Sequence, residues 1–86
     1  MKLVYLPIFA KKLKRKTKKN HNLKAKLVKQ INLLLQNIQH PSLKVHKLKG
    51  KRKEDYSFWI EDDLRIIFKI IEDTIIFTDL ITHDEY

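Results

Sequence analysis

The sequence predicts a small α+β domain in the order β-α-α-β-β-β, a helical hairpin packed on one face of a small, mostly antiparallel twisted sheet. Three observations lead there. Leu23, Leu27, Ile31, Leu34, Leu35 and Ile38 recur at helical spacing. Beyond Pro41 the period changes, and Tyr56, Phe58 and Ile60 alternate with Ser57, Trp59 and Glu61. From Leu64 to Ile71 the chain is apolar except for Arg65 and Lys69, as in a strand buried on both faces at the middle of a sheet.

Each element follows from its residues. Lys2–Leu6 is short, β-branched and aromatic, and Pro7 stops it, so it reads as a first strand. Pro7 also suits the first position of a helix. Phe9 and Leu13, four apart among lysines, make Ile8–Thr17 a short amphipathic helix. Asn20 or Asn22 can cap the second helix, which the pattern carries to near His40-Pro41. Leu43–Leu48 alternates loosely and ends at Lys49-Gly50, before the basic loop 51–53. The acidic pair Asp62-Asp63 and the pair Glu72-Asp73 read as turns, and Thr74–Ile81 as the last strand.

Composition removes many functions. At 86 residues the chain has room for one domain, residues 1–86. It has no cysteine, which excludes disulfides, cysteine zinc sites, iron–sulfur clusters and thiol nucleophiles. Its single glycine, Gly50, excludes a P-loop and a dinucleotide fingerprint. No stretch reaches the ~20 apolar residues of a membrane span. Leu3–Ala10 lacks the small-residue site of a signal peptide, so a cytoplasmic protein is expected.

Charge is divided along the chain. Residues 1–53 hold 17 basic and no acidic side chains, whereas residues 54–86 hold 10 acidic and two basic ones, Arg65 and Lys69. The halves are +17 and −8, giving the net +9. Such a split points to an anionic partner.

Several residues stand out chemically. Arg65, in the most apolar strand, needs a carboxylate such as Asp79 or must line a cleft, where its fork suits a phosphate. A turn spanning Glu61–Asp63 places Trp59 opposite Arg65, as a platform for a base; a two-residue turn places them on opposite faces. His83 and Tyr86 follow the last strand and supply a proton-transfer group and a phenolic donor, or are simply solvated. His46 precedes Gly50 in H-K-L-K-G, and His21 and His40 read as helix-end residues. His83, Asp84 and Glu85 match no strong metal-binding spacing, and no cofactor or metal is expected.

The element order, the L-K-G at 48–50, the run Y-S-F-W-I-E-D-D-L-R-I-I-F-K-I-I-E-D-T-I-I from Tyr56 to Ile76 and the ending T-H-D-E-Y resemble the RelE/ParE superfamily of bacterial type II toxins. Within it, H-x-L-x-G and T-H resemble the YafQ branch, and the spacing from acidic turn to arginine the YoeB branch. The resemblance implies an endoribonuclease that cuts messenger RNA in the ribosomal A site and is held in check by a cognate antitoxin in a hetero-oligomer. It implies that Arg65 stabilises the phosphate, that His83 is a general acid or base, that His46 and Asp63 are the other catalytic groups, and that Tyr86 stands near the terminal aromatic residue. Trp59, Lys69, Lys47, Lys49, Lys51 and Arg52 are the candidate RNA contacts. Ser57 and Trp59 occupy the strand where RelE carries two lysines, and YafQ has a histidine where this chain has Trp59. On this reading a base, His46 or Asp63, takes the ribose 2′-hydroxyl proton, and His83 protonates the leaving 5′-oxygen without metal. The alternative is a ParE-like toxin that inhibits DNA gyrase, in which the terminal histidine and tyrosine have no role. A plain RNA-binding module fits least, since no RNP-type aromatic-glycine motif is present.

Overall fold

Residues 1–50 and 54–82 are described by the computed structural model. The elements are β1 (Lys2–Tyr5), α1 (Pro7–Thr17), α2 (His21–Gln36), a 3-10 turn at Pro41–Leu43, β2 (His46–Lys47), β3 (Tyr56–Glu61), β4 (Leu64–Ile71) and β5 (Thr74–Ile81). The predicted order holds, with the very short β2 added at the sheet edge. The five strands run β1-β5-β4-β3-β2. β1 pairs with β5 in parallel, and every other pair is antiparallel.

Helix ends follow local chemistry. Pro7 opens α1, where a missing N–H costs nothing. The Asn20 side chain caps α2 by accepting from Leu23 N at 3.0 Å. Asn20→Ala is expected to lower stability by about 1 kcal/mol. Urea unfolding checks this, and an unchanged midpoint would contradict it. α2 stops at Gln36, short of the predicted His40-Pro41. Asn37 turns extended, and its N–H donates to Leu33 O. His40 then caps the 3-10 turn, its Nδ1 accepting from Ser42 N at 3.2 Å. That turn consumes Leu43, so the alternating segment Leu43–Leu48 yields only His46–Lys47 as strand.

The core lies between the helices and one sheet face. Phe9, Leu23, Leu27 and Leu34 pack with Phe58, Ile60, Leu64, Ile66, Phe68, Ile75, Phe77 and Leu80. Gln30 is the polar exception, 1% exposed. Its amide donates to Trp59 O at 2.9 Å and Ser42 O at 3.4 Å, tying α2 to β3 and to the 3-10 turn. β4 is the central strand, as predicted, but only its first part is buried on both faces. Its pairing with β3 ends at Tyr56↔Phe68, and beyond it Ile70 and Ile71 are exposed.

The β3–β4 hairpin differs instructively from expectation. The turn is the two residues Asp62-Asp63, with Glu61 opposite Leu64. Asp62 takes φ +47°, a left-handed value that aspartate tolerates. A bulge between Trp59 and Glu61 adds one residue, so Trp59 still pairs with Arg65.

Candidate functional site

Alternation along each strand sends two sets of side chains to opposite faces. Phe58, Leu64, Ile66 and Phe68 face the helices. Their neighbours Ser57, Trp59, Arg65, Ile67 and Lys69 therefore belong to the other face. Ile67 and Ile81, each 1% exposed, lie outside the helix-side core and supply an apolar floor there. Cross-strand register arranges this face in rows. One row reads His46–Ser57–Ile67–Asp79, and the next Trp59–Arg65–Ile81.

Arg65 defines the chemistry. Its Nη1 is shielded from solvent and has no hydrogen-bond partner among the described residues. The expected carboxylate, Asp79, is instead 2.8 Å from Lys12 Nζ. A guanidinium nitrogen left unpaired at partial burial is costly unless an acceptor arrives. Lys69, on the same face, is ion-paired with Asp55, which precedes β3. Among the described residues the face thus carries one cation without a protein acceptor and one already neutralised.

The other predicted residues are spread around this centre. His46 is exposed on β2, at the open end of the row that contains Ser57. Lys47 and Lys49 are exposed on the same edge. Asp63 sits in the hairpin turn, in a cleft with Lys16, Asn20, Glu61 and Thr82. It is therefore at the helix-hairpin end of the strands, several residues along the sheet from His46. His83, Tyr86, Lys51 and Arg52 lie outside the described residues.

Trp59 does pair with Arg65, but its ring is not bare. Lys44 Nζ stands 4.8 Å and Lys26 Nζ 5.2 Å from the ring centroid, and the indole N–H donates to Asp62 O at 2.8 Å. β2 ends before Trp59, so the indole occupies an uncovered stretch of the sheet edge. Lys44 reaches it from a left-handed backbone, φ +48°. Neither lysine carries a sequence signal, because their proximity depends on the 3-10 turn and on α2 packing. Ser57 was legible only as a departure from a lysine pattern; its burial is a property of the assembled sheet.

On the helix side, Lys11, Lys14, Arg15, Lys18, His21 and Lys24 line a cleft between α1 and α2. This is the basic half of the sequence made into a surface. No helix among the described residues is long and apolar enough to cross a membrane. Among the same residues no group of three or more metal-ligating side chains comes together.

A two-helix hairpin on this five-stranded, mostly antiparallel sheet is the architecture of the RelE-like toxins. A family model described as "Bacterial toxin of type II toxin-antitoxin system, YafQ" matches residues 1–86. The chain belongs to the YafQ family of type II toxins.

Solved structures agree. A mutant of Escherichia coli YafQ is 25% identical, covers 96% of this chain and 93% of its own, and superposes with TM-score 0.79. A metal-bound toxin from Helicobacter pylori is 28% identical, covers 99% and 97%, and gives TM-score 0.81. A YoeB/ParE toxin from Agrobacterium tumefaciens shares the fold at 16% identity, covering 96% and 99%, with TM-score 0.83. A sequence search of curated proteins found no match.

Proposed function

We propose that this toxin is a ribosome-dependent endoribonuclease that cleaves mRNA by acid/base attack of the ribose 2′-hydroxyl, without metal. The observation that carries the reading is Arg65, a shielded guanidinium nitrogen without an acceptor among the described residues, on the sheet face away from the helices. Such a group fits a phosphodiester whose negative charge grows as the 2′-oxygen attacks. His46 enters the neighbouring row, that of Ser57, from the sheet edge and takes the 2′-hydroxyl proton. Asp63, in the cleft by the hairpin turn, is the other base the resemblance offers. Ile81 is the register partner of Arg65, and His83 follows it by two residues in sequence. That spacing suits His83 as the acid that protonates the 5′-oxygen, with Tyr86 as a further donor.

The products are a 2′,3′-cyclic phosphate and a 5′-hydroxyl end. The basic cleft on the helices, with Lys47, Lys49, Lys51 and Arg52, holds the ribosome and message from outside the cutting site. E. coli YafQ has been crystallised in complex with DinJ, and the corresponding partner here is a cognate antitoxin acting in the cytoplasm.

His83→Ala is expected to reduce cleavage of ribosome-bound mRNA by about 10²–10⁴-fold, while excess EDTA leaves the parent rate unchanged. Primer extension on translating ribosomes reads both. A rate indifferent to His83→Ala removes the acid assignment, and loss in EDTA points to a metal mechanism.

A further inference from the structure

Ser57 shares the condition of Arg65. It is 1% exposed, and its Oγ, like Arg65 Nη1, is shielded without a hydrogen-bond partner among the described residues. The two residues are close. Ser57 pairs with Ile67, and Arg65, two residues earlier on β4, pairs with Trp59. They are diagonal neighbours on one face, with Cα atoms about 7–8 Å apart. A serine that serves the fold normally spends its hydroxyl on a nearby carbonyl, as Thr78 Oγ1 does on Ile67 O at 3.2 Å. Ser57 does not.

Two buried donors on neighbouring strands, one of them charged, share one kind of missing partner: an oxyanion with at least two acceptor oxygens. We infer that Ser57 is a second ligand of the phosphate group received by Arg65, its Oγ–H donating to one non-bridging oxygen while Nη1 donates to another. Arg65 is partly exposed and Ser57 buried, so the guanidinium is the donor nearer solvent and the hydroxyl the inner one. Both donors stand on paired strands, which orients the group more rigidly than loops can. The RNA identity of that phosphate rests on the nuclease reading above; the anion site itself does not.

The test follows the Arg65 Nε–Hε resonance in ¹⁵N spectra of the full chain during titration with inorganic phosphate. The parent is expected to show a saturable shift, and Ser57→Ala to weaken it about tenfold, the loss of one charge-assisted hydrogen bond. The same variant is expected to melt about 4–8 °C higher, because it removes a buried hydroxyl that the free protein leaves unbonded. Should Ser57→Ala fail to fold, Ser57→Cys, similar in shape and weaker as a donor, carries the same expectation for phosphate. Unchanged phosphate affinity in a folded Ser57 variant, or no saturable shift in the parent, overturns the inference. So does a lower melting point with unchanged affinity, the mark of a hydroxyl that bonds a buried water and serves only the fold. Cleavage assays on ribosome-bound mRNA separate the two claims. Ser57-dependent phosphate binding in a chain that cuts no mRNA keeps this site and ends the nuclease reading. Intact cleavage with phosphate binding indifferent to Ser57 does the reverse.

Discussion

Arg65→Ala is expected to lower cleavage of ribosome-bound mRNA by about 10²–10³-fold, the effect of removing one preorganised donor from a developing oxyanion. The fold should survive. Arg65 makes no ion pair among the described residues, and its Nη1 is an unpaired polar atom in the free protein. Truncating it relieves a desolvation cost instead of breaking a network. Arg65→Lys should fall between the two, since an ammonium restores charge without the fork. Primer extension for rate, with a urea melt for stability, separates these effects. An Arg65→Ala variant that unfolds, or one that cuts at the parent rate, would each contradict this reading.

Phe77→Ala should have the largest effect on the fold itself. Phe77 is fully buried on β5 and stacks on Tyr5 at 5.4 Å between ring centroids. It meets Phe9 edge-on at 5.3 Å and Phe58 at 5.6 Å. One ring thus joins β1, α1, β3 and β5. Removing it costs about 3–5 kcal/mol. A domain of this size commands only about 4–13 kcal/mol in total, so the variant is expected to be unfolded or nearly so at 37 °C. Phe77→Leu keeps most of the volume and should cost less. Far-ultraviolet circular dichroism against temperature reads the outcome, and a loss below about 1 kcal/mol for Phe77→Ala would show that the cluster is not the keystone described.

Much of this fold was legible because local and tertiary signals agree. Leu23, Leu27 and Leu34 fall on the buried face that their spacing implies, and Asn20 caps the helix as one of two asparagines offered. Pro7 both ends β1 and opens α1. What was not legible depends on pairing. The bulge after Trp59 follows from fitting β3 to β4, and no residue type announces it. The indole acquires Lys26 and Lys44 only because β2 is too short to cover that edge. Arg65 was visible as an anomaly in an apolar run, but its lack of a carboxylate was not. Asp79, the partner that composition suggested, is held by Lys12 from α1. The unbonded hydroxyl of Ser57 belongs to the same class, a fact of register and burial that sequence spacing cannot carry.

The charge division takes a definite form on this fold. The basic cleft between α1 and α2 and the face that bears Arg65 lie on opposite sides of the sheet. Substitutions among Lys11, Lys14 and Lys18 should therefore change ribosome affinity and its salt dependence, and Arg65→Ala should change the chemical step instead.

The most direct measurement of the central claim is the mapping of mRNA 5′ ends and their chemistry after induction of this chain with and without its antitoxin. Ribosome-dependent cleavage predicts new 5′-hydroxyl ends on translated messages, lost on co-induction and absent with Arg65→Ala. Intact messages accompanied by loss of DNA supercoiling would contradict it and assign the fold to gyrase inhibition instead.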